Sequence, residues 1–543
     1  MRFPQADHLA KNLAALDRVA PELAGRIRLP VGSGHTREDG GRVLYRLQRS
    51  WIPLTLERAS CDRCVEAASG APGFLLLGIG AGELVERFLA CRRPLVAWEH
   101  DPWLLRLFLA RHDVSAALVS GRLRLLLGTD LLDLREPHLA EVRHPVLGAV
   151  YANEIASRAS DAARERAVLC DGGLFVEEVR RGLVGRGFAT WTLDLLRLSH
   201  EELDRAMRRF APSLVLAVNY VEGLAEFCRD HGARLVVWEV DACTTRPRTP
   251  ACSTDHVRLF TYRRAQVGAW RAAGFTHVEH LPLAADPELR RPLERTQAER
   301  SRWHAPLAHV GSSMVENARA CRERLLEHWA AWRGAGVRPA DLAPVLAGLL
   351  AEQRRDFARF RVPELLEALA PGMRTAVLSE PGAEDPAVLA GEIAASEKRL
   401  NWAARLAMSG LAVWGDAGWR AVVPRGVDYR GPAGHREELT CIYDACPLHW
   451  DVGRIYQPDI VTMRVFDVLA CGRPVLTEHN AELEELFDVG AEVESYRDPR
   501  ELIAKVARLR ADPARARELG RRGRAAIEER HSIEHRLAHL LAT

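Results

Sequence analysis

Short, continuous apolar runs alternate with amphipathic helical segments along most of this chain, and this alternation limits its fold more than any other feature. A strand that is apolar on both faces is typical of a parallel sheet covered by helices on both sides. The alternation therefore predicts an α/β fold built from parallel sheets. The apolar runs are FLLLG (74–78), LVAWE (95–99), LRLLLG (123–128), LVLAV (214–218), LVVWEV (235–240), AHVG (308–311), LAVWG (411–415) and PVLTE (474–478).

The length of 543 residues exceeds what one hydrophobic core usually supports, because domains average roughly 100–200 residues. The strand groups predict three domains: a helical segment plus a Rossmann-like domain over residues 1–150, a second domain over 165–300 and a third over 301–543. We interpret the polar stretch at 152–167 as a connector. The helix-rich stretch at about 340–407 is interpreted as an insertion in the third domain.

The charge balance and the cysteines exclude several classes of protein. Lys and Arg total 75 against 73 for Asp and Glu, so net charge does not favour a nucleic-acid partner. No apolar run reaches the roughly 18–20 residues of a membrane span, and the first residues lack a signal-peptide pattern, so we expect a cytoplasmic protein. Cys61 and Cys64 have metal-ligand spacing, but no second pair completes a zinc site, so no metal is predicted.

A glycine-rich turn follows the first apolar run. Gly78, Gly80 and Gly82 precede a helix, and Glu99 ends the next predicted strand. Glycines at this position let a ligand approach the backbone, and an acidic residue about 20 positions later suits a ribose hydroxyl, so the pattern fits a second nucleotide site or an S-adenosylmethionine site. The alternative is a tight turn whose glycines serve packing alone.

Polar residues also follow the strands of the second domain. Gly172 and Gly173 precede an amphipathic helix, whose first N–H groups would face the end of the sheet. Asn219, Glu239 and Asp241 come at the ends of two further apolar runs. Ligands bind outside the carboxyl ends of strands in open α/β sheets, so these residues are expected to face a cleft. The alternative for each residue is a turn or helix cap.

The third domain opens with a small-residue turn of Gly311, Ser312 and Ser313 between a strand and a helix. Free N–H groups and two hydroxyls at a helix N-terminus suit a phosphate, and the helix dipole favours negative charge there. The alternative is an ordinary helix N-cap by one of the two serines.

A charged helix is predicted in DIVTMRVFDVLACGRPVLTE at 459–478. Arg464 and Asp467 are three positions apart on this helix, and Asp459 precedes it. A carboxylate there suits the two hydroxyls of a ribose, and Arg464 suits a diphosphate. The alternative is a surface salt bridge on an amphipathic helix.

Residues 235–543 resemble the CgeB-like (spore-maturation type) glycosyltransferases, and the resemblance extends over about 165–543. It is carried by VVWEVD, HLPLAADP, HVGSS, VWGDAGWR, RVFDVLACGRPVLTE, LFDVGAEVESYRDPRELIAKV and HSIEHRLAHLL, in that order along the chain. It implies a GT-B fold of two facing Rossmann-like domains, with the nucleotide-sugar donor in the second. The acceptor would lie against the first, near Gly172 and Gly173.

The resemblance also implies roles for individual residues. Related retaining enzymes have a Glu-x7-Glu motif whose second glutamate holds the donor ribose, and the matching positions are Asp459 and Asp467. Both are the shorter aspartate, which leaves the ribose role with Asp467. The donor site would then comprise Gly311, Ser312, Ser313, Asp459, Arg464 and Asp467.

The N-terminal domain resembles that of the Maf-type (motility-associated factor) flagellin glycosylation proteins, over residues 45–60 and 74–102. In that family this domain is accessory to sugar transfer, which favours the packing alternative for its glycine turn. The combined resemblances imply a GT-B domain pair preceded by an additional Rossmann-like domain.

The predicted function is a metal-independent glycosyltransferase that needs no cofactor. It would move a sugar from a nucleoside-diphosphate donor to a protein, in particular flagellin, or to a cell-surface glycan. If the reaction inverts the sugar, Asp241 is the expected general base and His256 the reserve. The alternatives are an S-adenosylmethionine-dependent methyltransferase acting through the N-terminal domain, and a non-catalytic sugar- or partner-binding protein.

Overall fold

The computed structural model describes residues 6–34, 36–47, 50–158, 164–241, 247–334, 336–380 and 383–542. These residues form an α/β protein with three parallel sheets and one small antiparallel sheet. The predicted α/β class with parallel sheets is therefore confirmed. Residues 159–163 of the predicted connector lie outside the described residues.

The small antiparallel sheet is not predicted by the apolar runs. Its strands are β1 (Thr36–Asp39), β2 (Arg42–Leu47) and β3 (Ser50–Pro53), in that order across the sheet. Gly40 and Gly41 join the first two strands, and their φ angles of 54° and 79° fit a two-residue hairpin turn. The turn signal is present in the sequence, but these strands contain charged residues and no continuous apolar run.

The first parallel sheet has four strands. They are β4 (Phe74–Leu77), β5 (Leu95–Glu99), β6 (Leu123–Leu127) and β7 (Ala140–Arg143). Their order across the sheet is β6-β5-β4-β7, so the strands stand third, second, first and fourth in chain order. β4 and β5 are buried along their whole length, because helices cover both faces of the sheet.

The second parallel sheet has six strands in the order β13-β12-β11-β10-β8-β9. They are β8 (Arg166–Cys170), β9 (Ala189–Leu193), β10 (Leu214–Val218), β11 (Arg234–Glu239), β12 (Val257–Thr261) and β13 (His277–His280). The apolar runs predict β10 and β11, which are almost entirely buried, but not β12 and β13, where polar residues that are not buried interrupt the pattern.

The third parallel sheet also has six strands, in the order β16-β15-β14-β17-β18-β19. They are β14 (Leu307–Val310), β15 (Leu411–Trp414), β16 (Asp428–Tyr429), β17 (His449–Trp450), β18 (Val475–Glu478) and β19 (Glu494–Tyr496). In chain order within the sheet they stand third, second, first, fourth, fifth and sixth, which is the order of a doubly wound dinucleotide-binding sheet.

Helices connect these strands. They are α1 (Ala6–Val19), α2 (Pro21–Arg28), α3 (Arg58–Ala67), α4 (Glu83–Ala90), α5 (Pro102–Arg111), α6 (Ser115–Val119), α7 (Leu147–Val150), α8 (Ala152–Arg158), α9 (Val176–Gly185), α10 (His200–Phe210), α11 (Leu224–Asp230), α12 (Val267–Ala272), α13 (Gln297–Trp303), α14 (Val315–Arg333), α15 (Pro339–Arg354), α16 (Val362–Leu369), α17 (Met373–Leu378), α18 (Pro386–Leu406), α19 (Glu437–Ala445), α20 (Met463–Ala470), α21 (Ala481–Leu486), α22 (Pro499–Ala511), α23 (Pro513–Arg530) and α24 (Ile533–Ala542). Short 3-10 helices lie at Gly128–Asp133, Arg264–Gln266, Ala407–Ser409 and Ala417–Arg425. The stretch predicted as a helical insertion contains α15 to α18.

The described residues form two compact units. The first contains the described residues up to Val218 together with Glu226–Val236, and the second contains Asn219–Ala225 and the described residues from Val237 onward. The sequence predicts three domains, with boundaries at other positions, and that division stays a prediction.

Candidate functional site

The third sheet has a topological switch point between β14 and β17. β14 has β15 on one side and β17 on the other, so the chain leaves the first strand toward both edges of the sheet. Ligands of doubly wound sheets bind in the crevice outside the carboxyl ends of such a strand pair. Two arginines, Arg399 and Arg464, lie in this crevice. Each of them donates hydrogen bonds to a residue at or just after the end of β14 and to a residue just after the end of β17.

Arg464 is one of the predicted donor-binding residues, and its charge is neutralised within the protein. Its Nε donates to the carbonyl of Val310 at the end of β14, at 2.6 Å. Its Nη1 pairs with Asp451, a buried carboxylate that directly follows β17. A side chain at Gly311 would collide with the Nη2 of Arg464, so this glycine is needed for the close approach. Arg464 therefore joins the two strand ends.

Arg399, on α18, has no directly paired carboxylate. It is 7% exposed, and it donates to the carbonyls of Ser312 at 2.7 Å and Val452 at 3.3 Å. Among the described residues it forms no ion pair, and its Nε has no hydrogen-bond partner. Burial, followed by the nearby charges of Arg454 and Arg464, lowers the pKa of Arg399 to about 9, and the more distant carboxylates of Asp451 and Glu392 offset this only in part. A buried cation without a paired carboxylate is costly, so the position is suited to an anion.

Arg454 follows β17, and its pKa responds to the charge of Asp241, the predicted general base. Its Nε donates to Glu392, on α18, at 3.2 Å. Burial lowers the pKa of Arg454, but nearby acidic and phenolic groups outweigh burial and raise it overall. These groups are Tyr456, Glu392, Tyr262 and Asp241. Asp241 therefore lies within electrostatic range of the arginine cluster, the name used below for Arg399, Arg454 and Arg464.

The predicted phosphate-binding turn is occupied by an internal carboxylate. Asp416, which follows β15, accepts hydrogen bonds from the Ser312 hydroxyl at 2.6 Å, the Ser313 N–H at 2.8 Å and the Ser313 hydroxyl. The two hydroxyls also accept from the N–H groups of Met314 and Val315 at the start of α14. The N-cap residue of α14 is Met314 and not either serine, so these contacts do not make the expected serine cap. The N–H group of Ser313 is already bonded, and phosphate binding by this turn stays a prediction.

Asp467 and Asp459, the two carboxylates of the predicted donor motif, each form an ion pair with an arginine of the protein. Asp467 is 4% exposed and pairs with Arg290 at 3.2 Å, and burial raises the pKa of Asp467. Asp459 precedes α20, as predicted, and pairs with Arg263 at 3.0 Å. The alternative was a surface salt bridge on this helix. Arg464 and Asp467 do not pair with each other, because Arg464 pairs with Asp451 and Asp467 pairs with Arg290. A ribose contact of Asp467 stays a prediction.

The predicted general base and its reserve are in different surroundings. Asp241 is exposed, and the amide nitrogen of Asn219 donates to its Oδ2 at 2.8 Å. His256 is partly buried, and its Nε2 lies 2.8 Å from the carbonyl of Ala225. Because a carbonyl only accepts, Nε2 carries the proton, and Nδ1 is the ring nitrogen that could take one. Whether Asp241 or His256 acts as the base stays a prediction.

The glycine turn of the first sheet is closely packed. The three glycines have φ angles between 63° and 107°, which favour glycine. A side chain at Gly80 would lie 2.6 Å from the Nε2 of His144, and one at Gly78 would lie 2.8 Å from Leu147. A side chain at Gly82 would meet Phe108 and His112. These neighbours account for the glycines without a ligand.

Glu99, the acidic residue predicted to receive a ribose, bonds to the turn itself. Its Oε2 accepts from the N–H groups of Ile79 at 2.9 Å and Gly80 at 3.2 Å. Its Oε1 accepts from the Tyr151 hydroxyl at 2.8 Å and from two further N–H groups, those of His100 and Asp101. Burial raises the pKa of Glu99 to about 7. These contacts favour the packing alternative over a nucleotide or S-adenosylmethionine site.

Gly172 and Gly173, the predicted acceptor-side loop, precede α9. Gly172 has a φ angle of 113° and open space where a side chain would stand. A side chain at Gly173 would lie 2.8 Å from the Cβ of Val218, at the end of β10. The loop therefore lies between β8 and β10, at the switch point of its own sheet. A role in acceptor binding stays a prediction.

Sequence reasoning missed three residues of the site: Arg399, Arg454 and Asp451. Arg399 lies in a stretch interpreted as a helical insertion, where a charged residue is usually solvated. The available signal was the pair Lys398 and Arg399 within a helix of mostly apolar residues. Both side chains are buried.

The described residues contain neither a metal-ligand group nor a helix that could span a membrane. No group of three or more His, Cys, Asp or Glu side chains within this part of the chain has a geometry that would hold a metal ion. Within the same residues, none of the helices has the length and apolar character that crossing a membrane requires.

Residues 397–542 match a family model described as glycosyl transferase-like, which covers less than half of the chain. A comparison with curated proteins gave no match. Among solved structures, sucrose-phosphate synthase from Thermosynechococcus elongatus is 12% identical over 69% of this chain and 97% of that chain, with a TM-score of 0.37. HepE from Anabaena, in complex with UDP and glucose, is 11% identical over 70% of this chain and 100% of that chain, with a TM-score of 0.38.

A further similar structure is the Maf glycosyltransferase from Magnetospirillum magneticum AMB-1. It is 9% identical over 53% of this chain and 58% of that chain, with a TM-score of 0.20. The three TM-scores are below 0.5, so neither substrate nor activity is transferred from these proteins to this chain.

Proposed function

We propose that this protein is a glycosyltransferase that takes its sugar from a nucleoside-diphosphate donor bound at the switch point of the third sheet. The observation that carries the proposal is the buried guanidinium of Arg399 in that crevice, which is held by two carbonyls and has no paired carboxylate. Arg399 lies within the segment that matches the glycosyl transferase-like family. An anionic group bound there would pair directly with it.

The chemistry of sugar transfer requires such a site. Breaking the bond between sugar and diphosphate builds negative charge on the departing diphosphate, and preorganised cations stabilise that charge. Arg399 is poised to do so, because it is held by carbonyls rather than by a carboxylate. Arg454 shares its charge with Glu392 and contributes less. The guanidinium groups supply this charge in a mechanism that does not depend on a metal.

The remaining roles are assigned by chemistry. Asp241 takes the proton of the acceptor hydroxyl if the sugar is inverted, because it is an exposed carboxylate within electrostatic range of Arg454. Asp467 binds the donor ribose only if Arg290 releases it. We propose a protein, in particular flagellin, or a cell-surface glycan as the acceptor, on the basis of the family resemblances in the sequence.

Two other functions remain as outcomes of the test. A methyltransferase would use the first sheet, but Glu99 binds the N–H groups of Ile79 and Gly80 that a cofactor would need. A non-catalytic binding protein would bind the nucleotide sugar without turning it over.

The experiment is titration calorimetry with UDP, GDP, CMP, dTDP, ADP and S-adenosylmethionine, followed by an assay for sugar release from the matching donor. We expect one nucleoside diphosphate to bind. Arg399→Gln should weaken it roughly 10–100-fold, as expected for lost charge-assisted hydrogen bonds.

Arg425→Gln is the matched control, because Arg425 is an exposed arginine in the same segment. Its affinity should stay within about twofold of the parent, as is usual for a surface substitution. Binding of S-adenosylmethionine alone, or equal affinities of the Arg399→Gln and Arg425→Gln variants, would overturn the proposal. Binding without any sugar release over prolonged incubation would favour the non-catalytic protein.

A further inference from the structure

Asn219, directly after β10, has an unusual backbone. Its φ angle is 67°, in the left-handed region that non-glycine residues rarely adopt. Asparagine tolerates this region better than most residues, yet the conformation needs local support. Part of that support is the hydrogen bond from its N–H to the carbonyl of Trp238, in β11, at 3.0 Å.

The side-chain amide of Asn219 is fixed in one orientation. Its Oδ1 accepts from the N–H groups of Val240 at 2.9 Å and Asp241 at 3.2 Å. Two donors cannot face the amide nitrogen, so its NH2 group must point the other way. There it donates to the Oδ2 of Asp241 at 2.8 Å. The backbone therefore determines which end of the amide faces the carboxylate.

This arrangement has a consequence for Asp241. One carboxylate oxygen is held by Asn219, and the other, Oδ1, has no hydrogen bond to any described residue. A general base needs this combination, with a fixed direction and one free oxygen for the incoming hydroxyl. The charge of Asp241 raises the pKa of three neighbouring groups, Glu239, Tyr262 and Arg454.

We infer that Asn219 is a positioning residue for sugar transfer: its amide aims Asp241 at the acceptor. This inference rests on the proposed function. The NH2 group holds one carboxylate oxygen in place and leaves the other directed away from Asn219. Asn219 has no hydrogen bond to any residue of the arginine cluster, so donor binding should not depend on it.

Three variants test the inference. Asn219→Gly keeps the left-handed backbone and removes the amide. Asn219→Asp keeps the shape and the acceptor oxygen, but it places a like charge against Asp241. Ala211→Gly is the matched control, because Ala211 also has a left-handed φ angle, of 47°, and no role in the site.

The readouts are donor affinity, kcat, and the dependence of kcat on pH. We expect Asn219→Gly to lower kcat about 10–100-fold with unchanged donor affinity. Asn219→Asp should also lower kcat and should move the acidic limb of the pH profile upward, because it places a like charge against the carboxylate that acts as base. Ala211→Gly should leave all three readouts unchanged.

Two results would overturn the inference, and they are distinguishable. If the parent protein transfers sugar and Asn219→Gly keeps its kcat and pH profile, the positioning role is wrong while the proposed function stands. If the parent protein neither binds a nucleoside diphosphate nor transfers sugar, the proposed function fails, and the inference fails with it.

Discussion

The first and third parallel sheets begin with the same strand order, yet their switch points differ in charge. In the first sheet, between β4 and β7, the glycine turn is packed against His144 and Leu147. Burial lowers the pKa of His144 to about 4, so the ring there is neutral. In the third sheet, the crevice between β14 and β17 is crossed by Arg399 and Arg464.

The difference teaches that a glycine-rich turn by itself does not identify a ligand site. Both turns need their glycines because a neighbouring side chain approaches closely. The two sites differ in whether the polar groups are already satisfied. Glu99 satisfies the N–H groups of the first turn, whereas Arg399, beside the turn of the third sheet, has no directly paired carboxylate. A buried charge without a paired partner is therefore a more specific indication of a ligand site than a glycine-rich turn.

The largest expected effect is a loss of folding stability when Asp467, in the third sheet's domain, is replaced. Asp467→Ala leaves Arg290 buried without its partner, which typically costs about 3–5 kcal/mol of the free energy of unfolding. Urea unfolding of the variant measures this loss. Asp488→Ala, at an exposed carboxylate, should change the stability by less than about 0.5 kcal/mol. Equal stabilities of the two variants would show that the Arg290 pair is not structural.

The next effect concerns pH and the first sheet. The pKa of Glu99 is about 7 in the folded protein and near 4.5 in the unfolded chain, so only the folded state holds this proton between those values. Its contribution to stability is therefore greatest below about pH 4.5 and falls, by on the order of 3 kcal/mol, as the pH rises to about 7. Urea unfolding at pH 5 and pH 8 measures the change.

Glu99→Gln should remove this dependence, because an amide does not titrate in that range. At pH 5 it should also lower stability by about 1–3 kcal/mol, since the amide cannot satisfy all the donors around it. This deficit should shrink or reverse at pH 8, where the parent protein has lost the contribution of protonated Glu99. Burial also raises the pKa of Glu239 to about 7, so Glu239 adds its own pH dependence to the stability of both proteins. This contribution cancels when the stability of the variant is subtracted from that of the parent at each pH. Identical pH dependences of the two proteins would contradict the role of Glu99.

The smallest expected effect comes from a pair of glycine substitutions that test the comparison directly. Gly80→Ala puts a methyl group 2.6 Å from His144 and should cost about 1–3 kcal/mol of stability without altering nucleotide affinity. Gly311→Ala displaces Arg464 and should weaken nucleotide binding severalfold. Calorimetry and thermal unfolding of both variants check this. A loss of nucleotide affinity in Gly80→Ala would move the ligand site to the first sheet.

The sequence predicted the local features of the fold well. Every apolar run named as a strand forms one, including β4, β14 and β18, because a short run apolar on both faces is stable only inside a parallel sheet. The runs did not reveal the other strands, because these are very short or are interrupted by polar and charged residues: β1 to β3, β7 to β9, β12, β13, β16, β17 and β19. The glycine turns and the helix containing Arg464 were also evident from local spacing.

By itself, then, the sequence determined the most apolar strands, the glycine turns and the residue types at the ends of those strands. Only the tertiary structure decided their partners: Asp467 with Arg290, Glu99 with the glycine turn, and Arg399 with two carbonyls. The physical reason is that strand formation follows from hydrophobic periodicity within a few residues. Whether a buried charge is balanced depends on side chains brought together from distant parts of the chain.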